Sequence, residues 1–147
     1  MVLLDPNATS AFGAKIGAVL QIGDVITLTG TLGAGKTVIA GGILAGAGLQ
    51  SEAPSPSFPI VISYDPPVVR LPVAHVDLYR IDDVADLDEL GLDDARSDGA
   101  LVIEWPDRLG HRAWVDALAL SLDVRDDGAR VLTAQVPAAW ENRWPPR

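Results

Sequence analysis

The eight residues GTLGAGKT, Gly30 to Thr37, constrain this chain more than any other stretch, because three glycines, a lysine and two threonines crowd between an apolar run and an apolar helix. They fit G-x-x-x-x-G-K-[ST], with Gly30, Gly35, Lys36 and Thr37 in the defining places. The chemistry of phosphate binding explains the pattern. Small residues let successive backbone N–H groups turn inward around phosphate oxygens, and the helix that follows presents its positive end to them. Lys36 is expected to bridge the β- and γ-phosphates, and the Thr37 hydroxyl to ligate Mg²⁺. The flanks suit this reading. DVITLT, bounded by Gly23 and Gly30, reads as a buried strand, and KTVIAGGILAGAGL as a helix in which Gly41 and Gly42 lower the propensity.

The rest of the chain supplies few competing signals. A length of 147 residues argues for one domain over residues 1–147. No apolar stretch approaches the length of a bilayer span, and MVLLDPNATS lacks the basic and apolar regions of a secretory signal. The absence of cysteine excludes disulfides and thiolate metal sites and is compatible with the cytoplasm. A net charge of −9 argues against unaided nucleic-acid binding. Lysine occurs only at positions 15 and 36, and glutamate only four times, once at Glu104.

Thr9 in DPNAT is a candidate N-cap for a first helix, SAFGAKIGAVLQI. QSEAPSPSFP, with three prolines, reads as an exposed loop. IVISYD, VAHVD, ALVIEW, ALALSLDV and ARVLTAQV read as strands, VADLDELGL as a short helix or turn-helix, and RDDG as a hairpin turn. One strand–loop–helix unit followed by many strands predicts an α/β fold with a mixed parallel and antiparallel sheet flanked by helices. Trp140 and Trp144, four apart, would share one helical face.

A P-loop needs an acid near its metal, usually at the end of a neighbouring buried strand. ALVIE ends on Glu104, which is therefore the expected Mg²⁺ partner, acting directly or through a water. In AHVDLYR, His75 and Asp77 share one face of a strand. A transition-metal pair lacks support because His111 is the only other imidazole. Asp77 instead faces the nucleotide to orient water or metal, while His75 packs or hydrogen-bonds. Ser55 and Ser57 in PSPSF place hydroxyls on a proline-restricted, switch-like segment.

Together GTLGAGKT, SPSF, HVDLYR, DELGLDD and VIEWPDRL, in this order, resemble the TsaE (YjeE) family over roughly residues 9 to 110. That family supplies the ATPase of bacterial tRNA threonylcarbamoyladenosine biosynthesis. The resemblance implies a cytoplasmic Mg²⁺-dependent ATPase with ATP phosphates on Gly33, Ala34, Gly35, Lys36 and Thr37, and with Leu32 and Val38 as further nucleotide-binding positions. With no unambiguous arginine finger in the motifs, it is expected to be slow alone. It implies Mg²⁺ on Thr37 and Glu104, with Lys36, Asp77 and Glu104 carrying the chemistry. Ser57 stands where the family usually has threonine, Trp105 occupies the tryptophan beside the metal acid, Thr9 lies near base or ribose, and Arg130 is a further nucleotide neighbour. Implied partners are TsaB and TsaD, with tRNA reached indirectly through that complex and no membrane involved. Thr31, Val38 and Pro59 depart from the family pattern and bear on nucleotide handling and switch mobility.

Three other readings share the P-loop. A GTPase is disfavoured because DELG, residues 88 to 91, follows an acidic helical stretch and no N-K-x-D motif occurs. A small-molecule kinase would need an acceptor pocket and usually a basic lid, whereas the arginines are scattered. A nucleotide-regulated interaction module would need no fast chemistry.

Overall fold

Side chains alternate across a strand, so a sheet buried on both faces must be apolar at successive positions, and VITLT, VAHVD and ALVIE meet that demand. The computed structural model describes residues Met1–Arg147. Its strands are β1 (Val2–Leu3), β2 (Val25–Thr29), β3 (Val61–Tyr64), β4 (Val73–Asp77), β5 (Ala100–Glu104), β6 (Leu118–Val124) and β7 (Arg130–Gln135). They form one seven-stranded sheet in the order β1-β7-β6-β2-β5-β4-β3. The four strands β6, β2, β5 and β4 run parallel. β7, β1 and β3 each pair antiparallel, so the sheet is mixed, as the sequence predicts.

Helices α1 (Pro6–Ala18) and α2 (Lys36–Gly46) cover one face, and α3 (Val84–Glu89) and α4 (Leu92–Asp98) belong to the other. Alternate strand residues sort accordingly. Ile26, Leu28, Val102 and Leu120 join Ile16, Ile39 and Ile43 in one core. Val25, Val76, Leu101 and Ile103 join Leu87, Leu92 and Leu109 in the other. α1 and α2 approach so closely that a Cβ at Gly13 or Gly17 would strike the α2 backbone, and one at Gly42 or Gly46 the α1 backbone. The glycine that weakens α2 locally is therefore what lets it dock.

Four details differ from the sequence reading. α1 begins before Thr9: Asp5 is its N-cap, accepting the Ala8 N–H at 2.7 Å, and Pro6 opens the helix, where a missing N–H costs nothing. Thr9 lies inside the helix and donates back to the Asp5 carbonyl at 3.2 Å. VADLDELGL is cut in two by Gly91, whose φ of 65° ends one helix and starts the next. The two-residue β1, not anticipated, pairs with β7. Finally, Trp140 and Trp144 do not share a helical face. Trp140 is buried within a 3₁₀ segment, Ala138–Arg143, and Trp144 lies past its end, edge-on to Phe12 at 5.8 Å. Both pack on their own chain. The RDDG turn does join an antiparallel pair, with Gly128 at φ 85°. No helix is long and apolar enough to cross a membrane.

Candidate nucleotide and metal site

The loop leaves the carboxyl end of β2 and enters α2 at Lys36. Gly35 has φ 107°, a left-handed conformation that a side chain would strain, and a Cβ at Gly30 would press on the Leu122 carbonyl at 2.7 Å. The shape of the loop thus depends on glycine at both ends. No side chain caps α2, so its first amides have no side-chain partner and its positive end faces the loop. Ala34 is buried, whereas Leu32 is 71 % exposed and Val38 is at the margin of exposure. Lys36 is only 5 % exposed. Its ammonium donates to the carbonyls of Gly30 at 2.7 Å and Thr31 at 2.8 Å, and sits 4.3 Å from the centre of the Trp105 ring. Burial lowers its pKa from the ordinary lysine value, opposed by the charges of Glu104, Asp77 and Asp107.

Register brings the acids together. Asp77 ends β4 directly opposite Glu104 at the end of β5, and His75 lies opposite Val102, one pleat earlier on the same face. That is the face covered by α1 and α2, because Val102 belongs to their core. Thr37, in the first turn of α2, donates its hydroxyl to Glu104 Oε1 at 2.9 Å. His75 Nε2 contacts Glu104 Oε2 at 2.8 Å. Asp77 accepts the Tyr79 N–H at 2.9 Å through Oδ1 and the Ser57 hydroxyl at 3.3 Å through Oδ2. Both acids are almost wholly buried.

The donor set of Thr37 and Glu104 fits Mg²⁺, a hard cation that takes one or two protein oxygens and completes its shell with phosphates and water. No three His, Cys, Asp or Glu side chains converge to hold a metal unaided. The only close partner of His75 Nε2 is the Glu104 carboxylate.

Beside the loop lies a cavity of about 440 Å³ whose wall includes Thr9, Gly33, Gly35, Val38 and Arg130. Arg130 Nε donates to the Ala34 carbonyl at 2.8 Å and Nη2 to that of Gly33 at 3.0 Å, tying β7 to the loop. The sequence reading missed the rest of this wall, Leu4 to Pro6 and the turn residues Asp127 and Gly128. They meet there through the β1–β7 pairing, a contact between distant ends of the chain that no local pattern announces.

On the other side, Ser55 and Ser57 share a hydrogen bond of 2.8 Å. Phe58 is 80 % exposed, and the Arg80 guanidinium lies over its ring at 4.6 Å. Trp105 and Ile60 hold positive φ values of 60° and 70°, which are costly for residues of their size. Trp105 also packs on Tyr79 at 4.8 Å. DELGLDD does not reach the loop. It lines a separate cavity of about 460 Å³ with Leu109, Arg112 and Trp114.

A glycine-rich loop between a central parallel strand and a helix, with a buried acid on the adjacent strand, defines a P-loop nucleotide-binding protein of the α/β class. The family profile described as threonylcarbamoyl adenosine biosynthesis protein TsaE matches residues 3–132. This chain belongs to the TsaE family. It is 34 % identical over 126 residues to the tRNA threonylcarbamoyladenosine biosynthesis protein TsaE of Treponema pallidum, covering 85 % of this chain and 91 % of that one. Identity to the Bacillus subtilis protein of the same name is 33 % over 131 residues, covering 88 % and 80 %. The crystal structure of Bacillus subtilis YdiB superposes with a TM-score of 0.80 at 26 % identity, covering 97 % of this chain and 87 % of that one.

Proposed function

We propose that residues 1–147 act as one P-loop ATPase domain that serves tRNA threonylcarbamoyladenosine modification in the cytoplasm, together with TsaB and TsaD. The observation that carries this reading is the contact of Thr37 with Glu104 one residue after the loop lysine, supported by membership of the TsaE family. Backbone amides of Gly33 to Thr37 cradle the phosphates, and Lys36 exchanges its loop carbonyls for phosphate oxygens. Thr37 and Glu104 would hold Mg²⁺, which would supply positive charge to offset that of the phosphates. Asp77 orients the attacking water, and Ser57, already bonded to Asp77, brings its segment over the γ-phosphate. The cavity walled in part by Thr9, Val38 and Arg130 would take the nucleoside. An acidic chain of net charge −9 reaches tRNA through its partners instead of gripping it.

A reconstituted modification reaction containing TsaB, TsaD and tRNA tests the reading, with modified nucleoside measured over many turnovers. Lys36→Ala is expected to stop cycling. Cycling at the normal rate with Lys36→Ala would contradict the proposed role.

A further inference from the structure

We infer that His75 is a positioning residue that fixes the Glu104 carboxylate for Mg²⁺, an inference that rests on reading Glu104 as the metal acid. His75 sits in the middle of β4 with no exposed surface, where an imidazole is costly unless its polar atoms are paired. Nε2 lies 2.8 Å from Glu104 Oε2, and Nδ1 is buried without any partner. A lone pair on Nε2 would face the carboxylate and repel it, so Nε2 carries a hydrogen and donates to Oε2. The strand thus tolerates an unmade bond at one nitrogen while making the bond to Glu104 at the other.

The consequence falls on the carboxylate. Oε1 accepts from Thr37 and Oε2 from His75, so both oxygens are held and the plane of the group is set. Without His75, Oε2 would be a buried acceptor with nothing to accept. The nearby positive charge is Lys36, on which Glu104 already acts. A carboxylate turned toward Lys36 would withdraw charge from the metal position and from the lysine together. Such outer partners of metal ligands commonly change metal affinity by about 10- to 100-fold when removed.

The test is calorimetry of ADP and of AMP-PNP, each in EDTA and in Mg²⁺, taking the ratio of the two Kd values as the measure of metal coupling. His75→Leu is expected to lower that ratio about tenfold while the Kd in EDTA stays within about twofold of wild type. His75→Gln, whose amide nitrogen reaches the Nε2 position, should keep most of the ratio. His75→Asn, whose amide stops at the Nδ1 position, should behave like leucine. A merely structural role would lower the melting temperature without changing the ratio. If His75→Leu does not fold, the asparagine–glutamine contrast decides. Wild-type ratios in the leucine and asparagine variants would overturn the inference. Glu104→Gln separates the two layers of argument. If it keeps the wild-type ratio, the metal reading of Glu104 falls and this inference with it. If it loses the ratio while the leucine and asparagine variants keep theirs, only the role of His75 falls.

Discussion

The two sides of the nucleotide site are built differently. On one side, Lys36, His75 and Glu104 are buried and Thr37 is exposed, and each is held in place: Lys36 by the loop carbonyls of Gly30 and Thr31, Thr37 and His75 by Glu104. On the other, Ser55, Ser57 and Phe58 sit on an exposed segment outside any helix or strand, with one hydrogen bond of 3.3 Å from Ser57 to Asp77. The first side is fixed by the register of β4 and β5 and by glycines that only one backbone path satisfies. The second is held by its prolines, the hydrogen bonds of Ser55 and Ser57, a turn in which the Ile60 N–H donates to the Pro56 carbonyl, and the Arg80–Phe58 stack. Sites made this way bind with the rigid half and respond with the loose one, because loosely packed segments are those that reorder.

The largest expected effect breaks the rigid half. Lys36→Ala should abolish turnover and weaken ATP binding by about 2–3 kcal/mol, roughly a hundredfold, read by calorimetry. Thr37→Ala and Glu104→Gln come next. They should leave binding in EDTA unchanged and remove most of the gain that Mg²⁺ brings, by about tenfold or more. Full Mg²⁺ coupling in Glu104→Gln would remove that residue from the site. Asp77→Asn stands at the border of the two halves. It should keep nucleotide and lose roughly a hundredfold in turnover under single-turnover conditions. The smallest effects sharpen the contrast from the loose side. Ser57→Ala should cost turnover only severalfold, and Phe58→Ala should shift stability by less than about 0.5 kcal/mol, measured by urea unfolding, because its ring is 80 % exposed.

The same contrast explains what the sequence disclosed. The rigid half was legible because its demands are local. A phosphate loop needs glycine at fixed spacings, and a strand that ends on an acid marks a candidate for the proposed metal side. Asp77 and Glu104 are each visible in the sequence as separate candidates, but that they stand directly opposite one another depends on a register no local pattern announces. What stayed hidden depended on distant contacts. β1 is two residues long and is defined only by its partner β7, so the Leu4–Pro6 wall of the cavity had no signal. In DPNAT the threonine before an apolar run reads as a cap, whereas the proline after Asp5 marks the true start. The Nε2 bond of His75 to Glu104 lies beyond spacing rules, since residues 29 apart meet only when β4 and β5 align.

We propose that this chain carries the phosphate and metal half of the site but not the means to close it. Arg80 is stacked on Phe58 and Arg130 is bonded to loop carbonyls, so neither guanidinium is directed at a transferring phosphoryl group. An arginine supplied by a partner raises such turnover by about 10³–10⁵. The direct measurement is the ATPase rate of the isolated protein set against the same protein with TsaB and TsaD. A slow rate alone, rising by at least about a hundredfold in the mixture, is the expected result. An isolated protein that already turns over as fast as the mixture would contradict it.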